Sequence, residues 1–268
     1  MTRYSFKIFC VAFSACFCCA GSLLAEDNNP HTDKMVNEKL NLTQEWDKVF
    51  PKSDKVTHRK VSFRNRYGIM LAADLYMPRN VYGKLPAIAV SGPFGAVKEQ
   101  SAGLYAQTMA ERGFLTSAVD PSYTGESGGF PRDVASPHIN TEECCAAVDY
   151  LSTRDDVDSE RIGIIGICGW GGMAVNAAAI DTRIKATVTS TMYDMSRVNA
   201  NGYFDAMDAD ARYELRKQLN AQRTADAKSG SYALARGVPS VLYKSDSADD
   251  KPREQRGGRR IILKKNAL

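Results

Sequence analysis

Apolar positions along this chain form short runs and helical stripes that take turns between residues 56 and 194. VTHRKVSFR (56–64) alternates, with Val56, Val61 and Phe63 as inward positions, and GIMLAADLYMP (68–78) ends at a proline. The two predict antiparallel strands joined at NRYG. LPAIAVSGPFG (85–95) is an apolar run stopped by Gly and Pro, the pattern of a strand covered on both faces. GLYAQTMAERG (103–113) reads as a helix that Gly113 ends. FLTSAVD (114–120) reads as a second buried strand, followed by the glycine-rich PSYTGESGG. In NTEECCAAVDYLSTR (140–154) Asn140 stands as N-cap and Glu143 completes a capping box. RIGIIGIC (161–168), GGMAVNAAAI (171–180) and IKATVTSTMYD (184–194) predict strand, small-residue helix and strand. The alternation specifies an α/β fold, a mostly parallel sheet with helices on both faces.

The flanks differ from this body. Arg3 and Lys7, an apolar stretch from Ile8 and small residues up to Ala25 have the pattern of a signal peptide over 1–25. Export to the periplasm or medium follows; FSAC (13–16) also resembles an imperfect lipobox, so a lipid anchor is the alternative. Residues 26–53 read as a polar leader with one short helix, TQEWDKVF, capped by Thr43 and stopped by Pro51. The main domain spans 54–243. Within it, DADARYELRKQLNAQRTADA (208–227) predicts a helix with only a thin apolar stripe, as a lid would have. From Lys244 to 268 charge is dense and no period holds, the composition of a disordered tail.

Composition changes this picture little. A net charge of +4 gives no nucleic-acid footprint. Four of the seven cysteines lie in the signal, leaving Cys144, Cys145 and Cys168, an odd number that argues against a disulfide framework. His138, Cys144 and Cys145 match no zinc spacing, and YTGESGG lacks the Gly-Lys-Ser/Thr end of a phosphate loop.

The chemistry concentrates at GICGWGG (166–172). Glycines flank Cys168 between a buried strand and a small-residue helix, as a strained strand–turn–helix carrying a nucleophile requires. Trp170 departs from Gly-x-Ser-x-Gly, which has glycine there. Two other readings compete. Cys168 is an inert small residue in a tight corner, or Gly169, Gly171 and Ala174 form a dinucleotide-binding Gly-x-Gly-x-x-Ala with Asp194 as the ribose acid.

The order of elements, DVDSERIGIIGICGWGG and SGPFG (91–95) together resemble the α/β-hydrolases, and the elbow cysteine resembles their dienelactone hydrolase-like branch, over roughly residues 56–200. The resemblance implies hydrolysis of an ester, lactone or similar acyl bond on a small-molecule substrate, without cofactor or metal. Cys168 would be the nucleophile. The backbone N–H groups of Gly169 and Phe94 (Gly95 second) would form the oxyanion hole. The fold's order is nucleophile, acid, histidine, yet His31, His58 and His138 all precede Cys168. The acid is unassigned, with Asp246, Asp249 and Asp250 as weak positions and no base found. A truncated, catalytically impaired hydrolase, with late strands missing and an unrelated tail from an altered reading frame, is therefore the alternative.

Overall fold

The computed structural model describes residues 39–233. The signal segment, the tail from 244 and Asp246, Asp249 and Asp250 lie outside the described residues. Six strands form one sheet: β1 (Val56–Arg64), β2 (Met70–Pro78), β3 (Leu85–Ser91), β4 (Leu115–Val119), β5 (Val157–Ile167) and β6 (Ile184–Ser190). Their spatial order is β1-β2-β4-β3-β5-β6. β1 with β2 and β2 with β4 run antiparallel; the pairs from β4 through β3 and β5 to β6 are parallel.

Strand alternation divides the core into two layers. On β3, Leu85, Ala87 and Ala89 face one side while Ile88 and Val90 face the other; on β5, Ile162 and Ile164 oppose Ile165 and Ile167. The second side is covered by α1 (Ser101–Ala110), whose Ala102, Ala106 and Ala110 recur every fourth residue and let the helix lie close. The first side is covered by α2 (Pro137–Ser152) and α3 (Gly169–Ile180) through Val148, Leu151, Met173 and Ala177. α4 (Met195–Asn201) and α5 (Ala209–Ser229) follow β6, and neither buries a residue.

Three local expectations are corrected. TQEWDKVF forms no helix, because its side chains bond elsewhere: Trp46 Nε1 donates to the Phe50 carbonyl at 2.9 Å, and Lys48 Nζ reaches Asp74 at 2.9 Å. α2 begins three residues before Asn140, with Ser136 as N-cap and Pro137 in the first turn, where its missing N–H costs nothing. Asn140 Oδ1 accepts from Ser136 N at 2.8 Å, and Glu143 accepts from Ser122 N at 2.8 Å rather than closing a capping box. On β1, Val56 faces the α1 layer and Val61 and Phe63 the α2/α3 layer, so a buried Lys60 shares the side of Val56.

Candidate active site

β5 runs into α3 with a single residue between them, Cys168, which is the N-cap of the helix. Its backbone sits at φ 58°, ψ −127°, a region costly for a side chain with a Cβ. Three hydrogen bonds hold it there. Cys168 N donates to Ser190 O at 2.9 Å, and its carbonyl accepts from Gly171 N at 3.0 Å and Tyr193 N at 3.1 Å. The flanking glycines are needed for close approach. A Cβ at Gly166 would lie 2.5 Å from the Trp170 carbonyl and 2.7 Å from Ala174 Cβ; one at Gly169 would run into the Phe94 ring. Trp170, the departure from the five-residue pattern, turns its side chain into the core and leaves the turn intact.

Cys168, Gly169 and Phe94 are thus brought together. The N–H of Gly169 belongs to the first turn of α3, where no intrahelical acceptor exists. Among the described residues the Phe94 N–H has no partner either. The half-buried Cys168 side chain packs beside the α1 layer at the N-terminus of α3. Cys144 is buried and donates to Asn140 O at 3.6 Å; burial pushes its thiol up. Cys145 is pushed up to about 11, by burial first and by Asp181 next.

The loop carrying Phe94 is fixed by a buried charge cluster that sequence reasoning missed. Lys98 N donates to Asp120 Oδ1 at 2.7 Å, and its Nζ reaches Asp120 Oδ2 at 2.7 Å and Glu126 Oε2 at 2.8 Å. Burial alone would lower the Lys98 ammonium, but Asp120 and Glu99 outweigh it and hold the group above its ordinary value. Lys60 Nζ joins Glu126 at 2.7 Å and Asp47 at 2.9 Å. A Cβ at Gly125 would strike the Asp120 carboxylate, so the glycine lets the loop after β4 close over it. The carboxylates of Asp47, Glu99 and Glu126 gather within 4.8 Å of one another, and the ammoniums of Lys48, Lys60 and Lys98 already pair with them. The sequence signal was KEQ (98–100) shortly after SGPFG and GES (125–127) shortly after Asp120.

The histidines lie elsewhere. His58 Nε2 bonds Asp74 Oδ1 at 2.8 Å on β1, four strands from β5 and so roughly 19 Å across the sheet. His138 is exposed at the start of α2, and His31 lies outside the described residues. No histidine among the described residues stands beside Cys168. The dinucleotide reading fails on geometry. Phe94 and Met192 fill the space over Gly169 and Gly171, and Asp194 caps α4 by accepting from Arg197 N at 2.9 Å.

The model for X-Pro dipeptidyl-peptidase (S15 family) matches residues 67–260. The chain belongs to that family. This S15-family chain is also 66% identical over 199 residues to the Pseudomonas aeruginosa protein PA2218, described as uncharacterized, covering 74% of this chain and 54% of the relative. The crystal structure of PA2218 aligns with a TM-score of 0.71, over 73% of this chain and 61% of that one. Thiohydrolase aneE of Aspergillus aculeatus is 29% identical over 137 residues, 51% of this chain and 42% of its own. The α/β-hydrolase GrgF from Penicillium sp. sh18, at 22% identity, shares the fold with a TM-score of 0.56 over 66% of this chain and 57% of that one. The S15-family chain thus has the α/β-hydrolase fold its sequence resembles, and it spans about half the length of the curated relatives it matches.

Proposed function

We propose that the chain is a cysteine-dependent acyl hydrolase acting on a small-molecule ester, lactone or thioester. The observation that carries the reading is Cys168 itself, a residue held at positive φ between β5 and the N-terminus of α3. The Cys168 thiolate attacks the acyl carbon, and the carbonyl electrons collect on an oxygen facing the N–H groups of Gly169 and Phe94. Collapse of that intermediate expels the alcohol or thiol and leaves an acyl group on Cys168 Sγ. Water attacks this thioester, releases the acid and restores the thiol. The name of the Aspergillus relative, a thiohydrolase, supports the thioester as one substrate. The signal pattern of residues 1–25 supports export, with lipid attachment as the alternative.

A second reading has one specific observation in its favour. With no histidine beside Cys168 among the described residues, the thiol depends on the helix end alone, and the chain is a catalytically impaired hydrolase. Removal of triad members in a comparable layout costs about a million-fold in turnover. Hydrolysis of p-nitrophenyl acetate by the full chain and by Cys168→Ala separates the two. Turnover above background that vanishes in the variant supports the hydrolase. Equal, near-background rates for both folded proteins sink it and leave the impaired form.

A further inference from the structure

The side chains that close on the elbow are uncharged. A Cβ built at Gly169 has Phe94 and Met195 as its nearest neighbours, and one at Gly171 has Met192. Every one of those contacts is with carbon. Tyr193 donates its N–H to the Cys168 carbonyl, so its position is tied to the turn. Its hydroxyl accepts from the Tyr203 hydroxyl at 3.2 Å, the two rings lying 6.4 Å apart. Through Tyr193, Tyr203 is thus joined to the segment that is bonded to the Cys168 turn. Phe204 continues the row, edge-on to Tyr203 with centroids 5.1 Å apart, and is 92% exposed.

Backbone strain marks the same region. Thr191, Phe204 and Asp205 have positive φ, as Cys168 does. Holding a bulky aromatic residue outward at φ 57° costs free energy that burial does not return, a pattern found at ligand clamps. The ionic groups beside this row are already matched. Arg197 pairs with Asp205, and Asp194 is spent on the cap of α4.

We propose that these residues form an acyl-binding wall for an uncharged, apolar acyl group, in which Tyr203 and Phe204 stack on an aromatic or several-carbon chain attached to the carbonyl at Cys168. This rests on the reading of Cys168 as the acyl acceptor. The methionines Met192 and Met195 suit such a wall, since thioethers adapt to irregular apolar shapes and sit well against ring edges. The Tyr203 hydroxyl proton is taken up by the Tyr193 oxygen rather than offered to the ligand.

Alkylation rates test the wall without requiring turnover. Iodoacetamide and N-benzyliodoacetamide react by the same step: Sγ bonds to the methylene carbon, the C–I bond breaks, iodide leaves and the thiol proton passes to solvent. Labelling of the full chain, resolved by peptide mass spectrometry, gives the benzyl-to-unsubstituted rate ratio at Cys168, with N-acetylcysteine as reference. Burial of one phenyl ring predicts a ratio about tenfold above that reference. The excess should fall to the reference in Tyr203→Ala and Phe204→Ala, with unlabelled Cys144 reporting that each variant is folded. A ratio equal to the reference in the unmodified protein overturns the wall. So does an excess that both variants retain. A high ratio without Cys168-dependent ester turnover removes the hydrolase reading and keeps the wall; turnover with a flat ratio does the reverse.

Discussion

Burial pushes the Glu143 carboxyl up to about 7, although Ser122 N and Asn140 Nδ2 both donate to it, at 2.8 and 2.9 Å. The group borders a cavity of about 20 Å³ shared with Ser91, Cys144 and Trp170, room for about one water. Between pH 4.5 and 7 the folded protein keeps a proton here that the unfolded chain releases. Stability from this group is therefore present at low pH and declines as pH rises across that window, by on the order of 3 kcal/mol. Glu99 and Glu142, also raised by burial, add the same sign. In Glu143→Gln the decline should be shallower by that share. Urea unfolding at pH 5 and pH 8, with and without the substitution, measures it; an unchanged slope would show that Glu143 titrates normally. The sequence made this residue visible but misassigned it. Its spacing from Asn140 matches a capping box, and only the approach of Ser122 from another element shows where its hydrogen bonds go.

Elements with a regular local pattern were legible from their own residues. β3, β4 and β5, the β1–β2 hairpin and α5 stand close to where the pattern puts them, because period and turn chemistry are local. The segment around Trp46 was not. An apolar pair four residues apart reads as a helical stripe, yet Trp46 stacks edge-on with Phe50 at 5.7 Å and with His58 at 5.2 Å from a non-helical backbone. The buried cluster that receives Asp47 and Lys48 joins this segment, β1 and the loops after β3 and β4, so no single window of sequence contains it. Lys98 is its centre. In Lys98→Met the Asp120, Glu99 and Glu126 carboxylates lose a shared cation, and breaking a buried pair from one side costs about 3–5 kcal/mol. The loss should be smaller near pH 4, where Glu99, its carboxyl raised by burial, takes up a proton. Denaturant midpoints at pH 4 and pH 7 check this, and equal losses at both would mean that the cluster acts through packing alone.

At the scale of the whole molecule the sheet is covered unevenly. β2 through β5 bury residues on both faces, whereas β6 buries only Ile184 and leaves residues 185–189 exposed. Among the described residues β6 is also a sheet edge, with Val188 exposed on it and Val175 and Ile180 exposed on α3, the helix packed against it. The tight turn at Cys168 was readable because glycine spacing and an apolar strand define an elbow. The aromatic wall was not, because Met192 and Tyr193 meet the elbow, and Tyr203 meets Tyr193, only once the chain turns back after β6. The same geometry has a cost. Unpaired strand backbone next to exposed apolar side chains is a template for association. A lysine at the centre of that edge supplies the charge that edge strands use against such pairing. Val188→Lys should therefore shift the protein toward monomer in sedimentation velocity, with little effect on its denaturant midpoint, since the replaced side chain is already half in water. If the unsubstituted chain sediments as a monomer at the same concentration, the β6 edge is protected by something other than its own residues.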